Sequence, residues 1–380
     1  MDSLLKTFTD RITAAAADRT PLRIRGGGSK DFYGESLQGD VLDVAGYCGI
    51  TSYEPSELVV TVRSGTPLAE LEATLAEQGQ CLAFEPPGFA TAPGQPGTAT
   101  CGGMVAAGLS GPARASVGSV RDFVLGVKLL NGRGELLTFG GQVIKNVAGY
   151  DVSRIMAGAM GTLGLMTEIS LKVLPVAPAE ATLVFELDQA RALAHLNRWG
   201  GQPLPLNASC WVRDDSATSQ PEKLYVRLRG AVAAVESACR KMTQDMPGAR
   251  MDHAQAARDW QACRELTLPF FKPASDDLCL WRLSVPQTAP VLGLPWAQLV
   301  DWHGGQRWLW APLSAQSSLR QAAAAAGGSA TVFLSPKAIN TTARGRFSPL
   351  KPPLDGIHKR LKAEFDPAGI FNPGRLYPDF

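Results

Sequence analysis

The block from Ala99 to Glu168 constrains this chain more than any other feature. It opens ATCGGMVAAGLSGPARASVGSVRDFVLG and closes KNVAGYDVSRIMAGAMGTLGLMTE. Glycines at this density weaken helix and strand interiors, so they mark turns and close approaches of backbone to something else. About 70 residues upstream stands a second glycine cluster, RIRGGGSK, Arg23 to Lys30. There Leu22 to Arg25 reads as a strand running into Gly26-Gly27-Gly28. Consecutive amides in such a turn form a concave nest for an anion, and the missing Cβ atoms let the ligand come close. Ser29 adds a hydroxyl and Lys30 a charge.

The commoner nucleotide signatures are absent. No G-x-G-x-x-G, G-x-x-x-x-G-K-[ST] or H-E-x-x-H occurs, which excludes the Rossmann fingerprint, the P-loop and the zincin motif. The seven cysteines, Cys48, Cys81, Cys101, Cys210, Cys239, Cys263 and Cys279, are odd in number and lack a C-x-x-C pair. That argues against a disulfide framework, an iron–sulfur cluster held by this chain or another metal site, and for reduced thiols. A net charge of +2 without a basic stripe speaks against nucleic acid. The first 19 residues read as an amphipathic helix, not a secretory signal, and no run approaches the ~18 apolar residues of a membrane span.

At 380 residues the chain is long for one core. Leu58 to Val62 reads as a strand, followed by a helix capped by Thr66, with Pro67 first and Leu68, Leu71 and Leu75 on its apolar face. Residues 85–98 read as a loop. Arg121 to Leu130 and Glu135 to Phe139 read as strands around an Asn131-Gly132 turn. Leu163 to Leu174 is a further strand. After Pro178 glycine thins, and two strand–helix units follow: Leu183 to Leu187 with Leu193, Leu196 and Trp199, then Leu224 to Leu228 with Val235, Cys239 and Met242. The last helix carries Leu354, Ile357, Leu361 and Phe365.

Taken jointly, Gly26 to Lys30, the GGMVAAGLSG and SVRDFVLG runs, KNVAGYD, and the tail IFNPGRLYP resemble the vanillyl-alcohol-oxidase class of flavoproteins with a PCMH-type FAD-binding domain. Within that class the resemblance is to the family of FAD-binding E subunits of bacterial glycolate oxidases. It implies an α+β fold: a two-part FAD domain over 1–178 (subdomains of about 1–60 and 61–178), and an antiparallel-sheet cap domain over 179–334 with helices on one face. A segment over 335–380 would pack back on the FAD domain. It implies non-covalent FAD, lined by Gly26, Gly27, Gly28, Ser29, Lys30, Thr100, Gly102, Gly103, Gly111, Gly118, Asp122, Gly161 and Gly164, with the backbone near Ile169 at the adenine end.

The same resemblance implies a cytoplasmic complex, at most peripheral to the membrane. A D-type flavoprotein and an F-type iron–sulfur subunit would join this chain to oxidise glycolate, passing electrons to a membrane acceptor. Two other readings stay open: a non-catalytic flavin relay or structural subunit of a 2-hydroxy-acid dehydrogenase complex, and a stand-alone flavin reductase of the same fold. The four histidines are scattered. Catalytic candidates are therefore limited to His303 in LVDWHGGQRWLW, Lys145, and Arg307 by its charge. Arg344, Arg346 and Arg375 are further candidates for a substrate carboxylate.

Overall fold

A computed structural model describes residues 3–89, 98–141, 151–213, 221–336 and 345–380. The chain divides into two compact units, one of residues 1–110, 119–175 and 349–380, the other of residues 111–118 and 176–348.

In the first unit, helix Ser3–Asp18 buries Phe8, Ile12 and Ala15, spaced to share one face. They pack with Leu22, Leu42, Leu130, Leu165, Ile370 and Phe371. Strand Leu22–Arg25 pairs in parallel with Asp40–Asp43, and Leu22 also bridges to Phe371. A separate five-stranded antiparallel sheet runs in the order Ile50–Glu54, Val59–Arg63, Leu165–Lys172, Val124–Leu130, Leu136–Gly140.

Four local expectations change. Helix Leu68–Glu77 buries Leu68, Leu71 and Leu75 as expected, but Thr66 is not its cap. Its hydroxyl instead donates toward the carbonyls of Arg63 (2.7 Å) and Gly49 (3.1 Å), tying a turn together. The expected strand over Arg121–Leu130 begins only at Val124. Ser119 and Asp122 form a reciprocal capping box that makes Val120–Phe123 helical. The Asn131-Gly132 hairpin is longer than a two-residue turn, because Asn131 Oδ1 accepts from the amides of both Arg133 and Glu135 and Gly134 takes the positive φ of 75°. On helix Leu354–Phe365 the apolar stripe is not the buried face: Leu354 and Ile357 are exposed, and the buried side chain is Lys362.

The second unit is an eight-stranded antiparallel sheet, ordered Ala249–Arg250, Ala179–Glu186, Glu222–Gly230, Leu206–Arg213, Gln298–Asp301, Gln306–Pro312, Leu278–Ser284, Ser329–Leu334. Side chains alternate between its faces. Helices Gln189–Gly200 and Val232–Asp245 cover Leu183, Phe185, Leu224 and Val226 on one face. Helix Gln316–Ala325 continues that layer over Trp281, Leu309 and Val332. Helix His253–Arg264 lies against the opposite face. There Trp260 Nε1 donates to Thr182 Oγ1 at 2.9 Å, and the Arg227 guanidinium stacks 4.9 Å from the Trp260 ring.

Candidate functional site: a cleft at the glycine turn

Strand Leu22–Arg25 ends where the backbone enters Gly26-Gly27-Gly28. Glycine is required here by packing. A Cβ on Gly27 would lie 1.4 Å from the Thr98 carbonyl oxygen, and one on Gly26 would lie 2.4 Å from Thr100 Oγ1. Gly28 also has a φ of +74°, which L side chains avoid.

The amides of Gly26, Gly27, Gly28 and Ser29 donate to no protein acceptor among the described residues. These residues are half-exposed, and successive amides without a protein acceptor in a glycine turn at a cleft form a concave nest suited to an external anion. The cleft has a volume of about 90 Å³, room for a small group such as a phosphate and not for a whole dinucleotide. Gly26, Gly27, Gly28, Ser29, Lys30, Thr100 and Gly103 all line it, as do Asn372 and Arg375. Lys30 Nζ donates to Ser29 Oγ at 3.2 Å, and Arg25 pairs with Asp31 at 3.0 Å. Arg25, Lys30 and Arg375 against the one carboxylate of Asp31 leave an excess of positive charge, suited to an anion.

Thr100 caps helix Cys101–Ala107 by accepting from the Gly103 amide at 3.2 Å. Gly102 faces away from the cleft and packs on Ser64, where a Cβ would meet the Ser64 Cβ at 2.7 Å.

The remaining residues read from the sequence fall elsewhere. Gly161 has a φ of +72° and abuts the Asn372 amide group, and Gly164 abuts the Leu130 carbonyl. Asp122 accepts from the Ser119 amide at 2.8 Å and its hydroxyl at 2.9 Å. Burial would raise its carboxyl, but these bonds prevail and hold it below the usual carboxylate range. Ile169 is fully buried mid-strand, paired on one side with Val62 and on the other with Val127, so its backbone has no open edge. Gly111 and Gly118 belong to the second unit. Lys145 and Arg344 lie outside the described residues.

The catalytic candidates of the second unit are engaged in structure. Arg307 is fully buried. Its Nε donates to the Gly304 carbonyl at 2.8 Å and its Nη2 to that of Ala289 at 3.1 Å. Burial lowers its pKa to about 10. Arg346 is also buried. His303 sits in a turn where Trp302, His303 and Gly304 all have positive φ (52°, 55° and 97°). Its Nδ1 is 3.0 Å from Ser209 Oγ and its Nε2 2.9 Å from Ser116 Oγ. Ser209 Oγ also accepts the His303 amide at 3.0 Å. It can return its own hydrogen to Nδ1, leaving Nε2–H to donate to Ser116. Burial lowers the imidazole to about 4, so it is neutral at physiological pH, with both nitrogens occupied. Beside it, Trp302 Nε1 donates to the Gly111 carbonyl at 2.9 Å, and the Arg114 guanidinium stacks 4.4 Å from the Trp302 ring. This is the geometry of an anchor for residues 111–118.

Sequence reasoning missed Asn372 as a cleft residue. The signal was the N-P-G triplet in the tail: the asparagine takes a φ of 42°, which this residue type tolerates better than most. It also missed Asp301. Burial pushes this carboxyl up to about 7. Its Oδ2 accepts from Gln306 Nε2 at 3.1 Å and Trp308 Nε1 at 3.4 Å, while its Oδ1 has no partner. A proton on Oδ1 removes the charge that burial penalises.

Comparison with known proteins adds an independent line. The FAD binding domain family matches residues 7–140. Glycolate oxidase subunit GlcE of Escherichia coli K12 is 42% identical over 374 residues, 98% of this chain and 97% of that protein. Glycolate oxidase subunit GlcD of Bacillus subtilis 168 is 29% identical over 175 residues, 46% of this chain and 36% of that protein. Among solved structures, p-cresol methylhydroxylase with substrate bound superposes with a TM-score of 0.70 at 14% identity, covering 99% of this chain and 87% of that one. A 4-ethylphenol oxidase from Gulosibacter chungangensis gives 0.69 at 12% identity, covering 99% and 88%. At such identities these two share the fold alone.

Proposed function

This chain belongs to the glycolate oxidase E-subunit family, and we propose that it is the FAD-holding subunit of a complex oxidising glycolate to glyoxylate. The observation that carries the reading is the row of four open amides over Gly26–Ser29, in a turn whose three glycines have no room for a Cβ. That cradle fits the pyrophosphate of FAD. Gly103 and Thr100 would form the opposite wall, and Lys30 and Arg375 would supply charge. Bound there, FAD would supply a two-electron redox centre able to take up and pass on electrons within the complex.

The chain's own residues bind and orient the cofactor. Arg307 bonds backbone carbonyls and His303 bonds two serines, which supports assigning proton abstraction from substrate to a partner subunit. The partners in this reading are a D-type flavoprotein and an F-type iron–sulfur subunit, with electrons leaving toward a membrane acceptor. No helix among the described residues is long and apolar enough to cross a membrane.

The test is a visible spectrum of the purified chain, followed by glycolate without air. Flavin bands that persist on glycolate addition agree with the proposal. Bands that bleach would move substrate chemistry onto this chain. Absence of any flavin uptake by the chain, alone or in its complex, would overturn the cofactor assignment.

A further inference from the structure

The last residues of the chain reach back to its first glycine cluster. Asn372 bonds with three atoms of the cleft's frame: its Oδ1 accepts from the Ile24 amide at 2.8 Å, its Nδ2 donates to the Met160 carbonyl at 2.6 Å, and its own amide donates to the Leu22 carbonyl at 2.8 Å. It thereby joins the strand that feeds the glycine turn to the residue preceding Gly161. Three residues on, the Arg375 guanidinium gathers the carbonyls of the segment after the turn. Nη2 donates to Asp31 at 3.0 Å, to Lys30 at 3.3 Å and to Tyr33, and Nη1 donates to Glu35. The backbone closes the same loop, since the Glu35 amide donates to the Arg375 carbonyl at 3.0 Å. Below, Lys362 Nζ holds Asp366 (2.6 Å), the Thr162 carbonyl (2.7 Å) and the Phe371 carbonyl (2.9 Å). Asp366 in turn accepts from the amides of Ile370 and Phe371.

We propose that Asn372 and Arg375 are positioning residues of the cofactor site, a C-terminal strap that keeps the amides of Gly26–Ser29 turned toward the cleft. The inference rests on the reading of that cleft as the FAD pyrophosphate site. A glycine turn is free to rotate its peptide planes, and each rotation would replace an N–H facing the anion with a C=O that repels it. One guanidinium occupied by the carbonyls of residues 30, 31, 33 and 35 opposes such rotation in the segment just beyond the turn. Ile24, held by Asn372, opposes it just before. Both strap residues also line the cleft. The strap therefore sets affinity for the pyrophosphate and leaves affinity for the isoalloxazine ring alone.

The experiment uses the full chain stripped of flavin, titrated with FAD and with riboflavin, which lacks the pyrophosphate, and followed by flavin fluorescence. Inorganic pyrophosphate serves as a competitor of FAD. In Arg375→Met and Asn372→Ala the ratio of FAD to riboflavin affinity falls by about ten- to a hundredfold, the loss expected from removing charge-assisted or buried hydrogen bonds. Pyrophosphate competes correspondingly less well. Arg375→Lys, which keeps the charge and a single donor head, is expected between wild type and Arg375→Met. It is also the milder variant should the others not fold. FAD and riboflavin weakened equally, or FAD bound as tightly by folded variants as by wild type, overturns the strap. Failure of the wild-type chain to bind FAD or pyrophosphate at all instead overturns the reading of the cleft, and the strap's role with it.

Discussion

His303 carries a stability penalty that acid should reveal. Burial lowers its pKa from 6.5 to about 4 in the folded chain, and one pKa unit is about 1.4 kcal/mol. Below pH 6.5 the unfolded chain takes up a proton that the folded chain refuses, so stability falls as pH drops from 6.5 toward 4 and is unaffected above 6.5. Between pH 7.5 and pH 5 this amounts to about 2 kcal/mol. His303→Gln removes the titration while keeping a polar side chain near Ser209 and Ser116. The variant should lose stability at pH 7.5, from imperfect replacement of two hydrogen bonds, by about 1–2 kcal/mol. On acidification to pH 5 it should regain about 2 kcal/mol relative to wild type. The assay is denaturant unfolding followed by tryptophan fluorescence at several pH values. All eight tryptophans lie within residues 176–348, so the signal reports the unit that holds His303. Parallel curves for wild type and variant across pH 7.5 to 5 would refute the argument and mean that the imidazole protonates freely in the folded state.

Asp301 works in the opposite sense: its folded pKa is raised to about 7, so the stability it confers is present at low pH and lost as pH rises through 7. Asp301→Asn should therefore lose about 2.6 kcal/mol relative to wild type between pH 8 and pH 5 in the same fluorescence assay, and a pH-independent difference would sink the claim. Gly27→Ala places a Cβ on the Thr98 carbonyl and should abolish flavin retention, checked by absorbance of the purified variant. Lys362→Met strands the fully buried Asp366 carboxylate and should cost about 3–5 kcal/mol in denaturant unfolding, much of it recovered by adding Asp366→Asn.

Much of the cleft was legible in the sequence because its chemistry is backbone chemistry. A strand followed by three glycines, Ser29 and Lys30 fixes where amides can be left open, and Thr100 with Gly103 announces the capped helix beside them. The helices of the second unit were equally plain, since Leu193, Leu196 and Trp199, or Val235, Cys239 and Met242, repeat at the helical period. The last helix misled for an instructive reason. Its period marks Leu354, Ile357 and Leu361 as the buried stripe, yet the group taken inside is Lys362, because Asp366 and two carbonyls satisfy its charge there.

What the sequence determined by itself was local: which segments turn, which face of each helix is apolar in most cases, and that a turn of three glycines, with amides suited to cradling an anion, follows the first strand. What only the tertiary structure decided was which distant groups complete that cradle and which are bound elsewhere. Asn372 and Arg375 reach the turn from about 340 residues away, while Arg307 and His303 are held by carbonyls and serines of their own unit. A polar side chain's role depends on the partner it finds, and partners far apart in sequence are chosen by packing. A glycine's role depends on its own backbone and the space beside it, which is why the glycines could be read first.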